Sequence, residues 1–128
     1  MKKYIADANF FLRFLLNDIP SQTKIAREYL VDAKKGKLKM QVLPITIFEI
    51  HFALTKYYKL KKEEVIMFVK SIVTMSYLDI IDRQSFLSAL SLYRKNNIDF
   101  VDAYLSSVAQ DTNAEILSFD KDFQKIKM

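Results

Sequence analysis

Lys3-Tyr4-Ile5-Ala6-Asp7-Ala8-Asn9-Phe10-Phe11-Leu12-Arg13-Phe14-Leu15 changes its hydrophobic pattern at Asp7. Residues 3–6 are a short, mostly apolar run of strand type; beyond them Phe10, Phe11, Phe14 and Leu15 recur at helical spacing. A carboxylate at such a junction is aimed past the strand's C-terminal edge, and it is equally placed to cap a helix starting at Ala8. From these residues alone both roles stand open.

The alternation continues along the chain. Pro20-Ser21 starts a second helix, with Ser21 as its cap and Gly36, the only glycine, at its end. Residues 38–43 read as a strand, and Pro44 starts a helix carrying Ile47, Ile50, Ala53, Leu54 and Tyr57 on one face. Residues 61–75 are an amphipathic helix with Val65, Phe68, Val69 and Ile72 on its buried stripe. A strand follows at 78–81, and Asp82 caps a helix bearing Phe86, Leu87, Leu90 and Tyr93 that Asn96-Asn97 breaks. Asp99 begins the next helix, residues 115–119 read as a strand, and 120–123 as a short helical turn. With no linker or repeat, this order predicts one domain over 1–128. It is an α/β fold, a three-layer α/β/α sandwich with a mostly parallel central sheet covered on both faces by helices. Ligands of such folds bind beyond the carboxyl ends of the strands, where Asp7 and Asp120 would lie.

The composition narrows the chemistry. Among 128 residues there are ten Phe, seven Tyr and no Cys, enough apolar material for a core without disulfides, and no thiol for catalysis or zinc. One glycine leaves no Walker loop, no Gly-x-Gly-x-x-Gly and no Gly-x-Ser-x-Gly elbow. The single histidine, His51, has no second His at ligand spacing. No run reaches the roughly 18 apolar residues of a membrane span, and Met1-Lys2-Lys3-Tyr4 lacks the apolar core of a signal peptide, so a cytoplasmic location is expected. Twenty Lys plus Arg against fifteen Asp plus Glu give a net charge of +5, which suits a polyanionic substrate and equally suits a merely lysine-rich surface.

Four acidic residues recur where strands end or helices begin: Asp7, Glu49, Asp102 and Asp120. Gathered carboxylates repel one another unless a divalent cation or a shared proton compensates them, so the set is read as a metal site. Taken singly, each has a structural alternative. Glu49 sits among Ile45, Ile47, Phe48 and Ile50, where it is either partnered or turned to solvent. Asp99 and Asp102 stand three apart at a helix start, where the dipole favours both; Asp99 is read as a cap or a supporting group. Asn9 and Ser118 are supporting polar groups, able to orient a carboxylate, a water or a phosphate oxygen. Arg13 and Arg83 are candidates to hold a nucleic-acid backbone, and the aromatic residues are read mainly as core.

Together, Ile5-Ala6-Asp7-Ala8-Asn9, Glu49 with Ala53-Leu54, Asp99-Phe100-Val101-Asp102-Ala103-Tyr104-Leu105 and Leu117-Ser118-Phe119-Asp120-Lys121-Asp122-Phe123 resemble the PIN domain, and more narrowly the VapC-type toxins of prokaryotic toxin–antitoxin pairs. The resemblance spans residues 3–125 and lies in the order and spacing of the motifs. It implies a parallel sheet between helices, ribonuclease activity with Mg²⁺ or Mn²⁺, a homodimer and a cognate antitoxin. Carried over by position, Asp7 and Asp102 are the principal metal ligands, completed by Glu49 and Asp120. The chain departs from the family after Asp120: only Gln124 to Met128 remain for a last edge strand. Alternatives of other kinds are a housekeeping RNA-processing or DNA-cleaving nuclease, an aspartyl-phosphate phosphotransferase, and a protein-binding module that uses its acids only as caps.

Overall fold

The computed structural model describes residues 1–121 and 123. β1 (Lys3–Ile5) leads to α1 (Ala8–Leu16) and α2 (Pro20–Lys34). β2 (Lys39–Val42) leads to α3 (Pro44–Phe52), whose end widens into a π-helical stretch, Ala53–Tyr57, and then to α4 (Lys62–Val73). β3 (Asp79–Ile80) leads to α5 (Arg83–Lys95) and α6 (Phe100–Asp111). The strands lie in the order β1-β2-β3 and both pairings are parallel, with Tyr4 beside Met40 and Val42 beside Ile80. Each crossover carries two helices, the length that parallel neighbours require. The α/β class and the parallel sheet agree with the sequence reading; of the two helix-covered faces expected, the one carrying Lys3, Ile5, Lys39 and Asp79 is exposed among the described residues.

Alternation along the strands decides which sheet face is covered. Tyr4, Met40, Val42 and Ile80 share one face and join a core with Phe11, Ile47, Ile50, Leu54, Val69 and Ile72. The opposite face carries Lys3, Ile5, Lys39, Gln41 and Asp79, exposed or half-buried, with Gln41 Nε2 donating to Asp79 Oδ2 at 3.1 Å. An aromatic part of the same core joins α3, α5 and α6. Phe48 meets Phe86, Phe100 and Tyr104 at ring separations of 5.3, 5.8 and 5.0 Å. These edge and tilted contacts follow the ring quadrupole and fix the three helices on one another.

Several expectations are corrected. Ser21 does not cap α2: Ile19 is the N-cap without a side-chain bond and Pro20 takes the first position, where its fixed φ suits a helix start. Asp82 occupies the N-cap of α5 in the left-handed region (φ 61), yet its carboxylate makes no capping bond and accepts from the Tyr104 hydroxyl at 2.6 Å. Burial first, then that bond and the Asp82 charge, push the Tyr104 hydroxyl up to about 12.

The strand expected at 115–119 is absent from the described residues. The segment is irregular, with Leu117 and Phe119 fully exposed. Strand propensity alone gives no bonds; a strand exists only where a neighbour pairs with it, and β1's outer edge does not engage this segment. The helical turn expected at 120–123 includes Asp122, which lies outside the described residues, as do the residues from Gln124 onward that remain for the family's last edge strand. No helix among the described residues is long and apolar enough to cross a membrane.

Candidate functional site

The switch from β1 to α1 places Asp7 at the N-cap of α1, where its Oδ1 accepts from the Phe10 N–H at 3.0 Å. The two readings of Asp7 are compatible. A carboxylate has about four lone-pair sites, and the cap uses one oxygen. Two residues on, Asn9 lines an open cleft of about 390 Å³ with Glu49, Phe48 and Phe52 of α3 and Val101 of α6. Packing of the buried stripes of α1 and α3 turns Glu49 out of the core, so it is exposed on the cleft wall. Asp7 and Asp102 are the chain neighbours of the lining residues Ala8 and Val101. Asp102, half-buried in the first turn of α6, lies at the positive end of the helix dipole. A buried bond from Thr46 Oγ1 to the Ala6 carbonyl at 3.4 Å ties the start of α3 to the end of β1.

The remaining candidates fall elsewhere. Ser118 and Asp120 stand on the exposed segment after α6, where the Asp120 N–H donates to Ser118 Oγ at 2.9 Å, and neither lines the cleft. Asp99 is the N-cap of α6 without a side-chain capping bond.

The expectation that Arg13 and Arg83 hold nucleic acid is overturned. Arg13 pairs with Asp18 at 3.1 Å and donates to the Tyr58 hydroxyl at 2.6 Å, locking α1 to the segment after the π-helical stretch. Arg83 donates to the carbonyls of Val73 and Met75 at 2.8 and 3.0 Å and to that of Leu78, closing the turn between α4 and β3. Guanidinium groups committed to internal acceptors, side chains for Arg13 and backbone carbonyls for Arg83, serve the fold.

Oxygen donors on Asp7, Asn9, Glu49 and Asp102 suit a hard cation such as Mg²⁺ or Mn²⁺. Among the described residues no three His, Cys, Asp or Glu side chains gather as a group that could hold an ion. Mg²⁺ keeps several waters and takes only one or two carboxylates from a protein, so the donor chemistry fits without such a group.

His51, two residues past Glu49, faces the other side of α3. It is 9 % exposed, stacks on Phe100 at 4.4 Å and meets the edge of Tyr93 at 4.9 Å. Burial lowers its pKa from 6.5 to about 4. The folded state therefore favours the neutral ring: this stabilisation is complete above the unfolded value and is lost as pH falls through the folded one. Denaturant unfolding of wild type and His51→Phe at pH 7.5 and 4.5 is expected to show about 2 kcal/mol more acid loss in wild type.

Sequence reasoning missed a second cavity beside this cleft, lined by His51, Phe52, Lys56 and Tyr93 among others. A signal was present: Phe52 falls off the stripe of Ile47, Ile50 and Leu54, and an aromatic residue off the buried stripe is a surface group. The family model described as PIN domain matches residues 4–127. No curated protein matches the chain.

Proposed function

The chain belongs to the PIN domain family, whose members are generally metal-dependent nucleases, and from that premise we propose a ribonuclease that hydrolyses RNA phosphodiester bonds with Mg²⁺ or Mn²⁺. The observation that carries the reading is the cleft lined by Asn9 and Glu49, with Asp7 and Asp102 next in the chain to its lining residues. Asp7 and Asp102 are proposed as the principal ligands and Glu49 as a further one. Asp120, which stands outside the cleft, enters the proposal only as the fourth acid of the motif resemblance. A bound divalent ion would supply Lewis acidity toward a phosphoryl oxygen and make an attacking water acidic near neutral pH.

The chain's own residues do the rest. The Phe10 N–H fixes the orientation of the Asp7 carboxylate. Glu49, exposed at the cleft wall, accepts a proton from water or orients it. The Asn9 amide can donate to a phosphate oxygen while accepting from a water. The net charge of +5 favours a polyanion and steers it without regard to sequence.

Within this reading the domain spans 1–128 and acts in the cytoplasm, and the motif resemblance supports a homodimer that is the toxin of a toxin–antitoxin pair. Incubating the protein with labelled single-stranded RNA and Mn²⁺ is expected to give cleavage that EDTA abolishes. Cleavage of DNA alone would move the assignment to a DNA-directed nuclease. Growth arrest on expression, relieved by the product of an adjacent small gene, is the expected mark of the toxin role.

A further inference from the structure

The cavity next to the cleft has a volume of about 540 Å³, within the range of small-ligand sites. It opens where the π-helical stretch widens the end of α3, and it shares Phe48, Phe52 and Val101 with the cleft, so the two adjoin. Phe52 stands on the shared wall, 64 % exposed, a large ring with one face available to a ligand. Behind it, His51 and Phe100 stack, and the buried Nε2 of His51 has no hydrogen-bond partner among the described residues.

The polar groups at the mouth are of two kinds. Lys56 and Lys62 supply positive charge; Lys62 Nζ is held at 3.0 Å from the Asn96 carbonyl and 4.5 Å above the Tyr93 ring. Asn97 and Asp99 supply an amide that donates and accepts and a carboxylate that accepts. The Tyr93 hydroxyl is kept protonated, its pKa raised first by burial and then by the Asp99 charge, against a bond with Thr55. A ring surface, a mixed donor and acceptor edge and nearby cations are complementary to the face, the edge and the phosphate of one nucleotide. Base stacking on such a ring tolerates any base, while the polar edge discriminates among them.

We infer that this cavity binds one unstacked nucleobase of single-stranded RNA, stacked on Phe52 and read at its edge by Asn97 and Asp99, adjacent to the position that is cut. The inference rests on the ribonuclease reading and adds to it the part of the molecule that selects sequence. It also accounts for the placement of Phe52, which an apolar core would have buried.

The test is fluorescence anisotropy of the full chain with labelled single-stranded hexanucleotides in EDTA, so that binding is read apart from cleavage. Phe52→Ala is expected to weaken binding roughly tenfold, the scale of one lost base stack. Asn97→Ala is expected to flatten the ranking of the four homopolymers while leaving the fold intact, both residues being exposed. Lys35→Ala, at the exposed C-cap of α2, is the control and is expected to bind like wild type. If Phe52→Ala binds as tightly as wild type and Asn97→Ala keeps the same ranking, the inference is overturned, even where cleavage proceeds. If wild type binds with these sensitivities yet no metal yields cleavage, the base site stands and the nuclease reading fails.

Discussion

Asp7→Asn and Asp102→Asn are each expected to lower RNA cleavage by at least about 10²-fold, the scale of removing one group that stabilises developing charge. Asparagine is the informative replacement at position 7. It caps a helix as well as aspartate does, so the bond to the Phe10 N–H persists and only the charge is removed. The melting temperature is therefore expected to stay within a degree or two of wild type, which separates loss of chemistry from loss of fold. At position 102 the change also removes a favourable charge from the first turn of α6, costing about 0.3–1 kcal/mol. That cost is too small to unfold the domain. Near wild-type cleavage in both variants, with metal present, would remove these carboxylates from the mechanism.

Phe86→Ala is expected to cost about 3–5 kcal/mol in denaturant unfolding, a large share of the stability of a domain this size. Phe86 is fully buried and touches the rings of Phe48, Phe100 and Tyr104, with centroids 5.3, 6.2 and 4.8 Å away. Truncation removes the apolar area and leaves a cavity between helices that cannot all close in. Phe48 neighbours Glu49 and Phe100 lies two residues before Asp102, so the same ring holds two parts of the candidate site in register. Cleavage per folded molecule is expected to fall as well. Phe86→Leu, which keeps most of the volume, is expected to lose markedly less in both measurements.

The legible parts of this chain are those written in local pattern. The change of period at Asp7 and the prolines at 20 and 44 mark element starts because each acts through a few neighbouring residues. The strands expected at 38–43 and 78–81 form, shortened to Lys39–Val42 and Asp79–Ile80. Residues 115–119 carry the composition of a strand, yet a strand is a property of a pair, and no local signal reports whether the partner edge engages. The structural roles of Arg13 and Arg83 are hidden from the sequence for a related reason. Their partners include a side chain 45 residues away and the carbonyls of a turn, and backbone acceptors carry no sequence signature. Glu49 was open between a buried partnered group and a solvent-facing one, and its exposure on the cleft was decided by how α1 meets α3. The cavity at Phe52 and Tyr93 draws on α3, the π-helical stretch, α4, α5 and the start of α6, which only tertiary packing brings together.

The central claim is that the carboxylates around the cleft hold a divalent cation for phosphodiester hydrolysis. Calorimetric titration of Mn²⁺ into the wild-type protein, with Asp102→Asn alongside, tests it most directly. The account predicts saturable binding to wild type that weakens by about 10–100-fold or more in the variant. Absence of binding to wild type, or equal binding to both proteins, would contradict it.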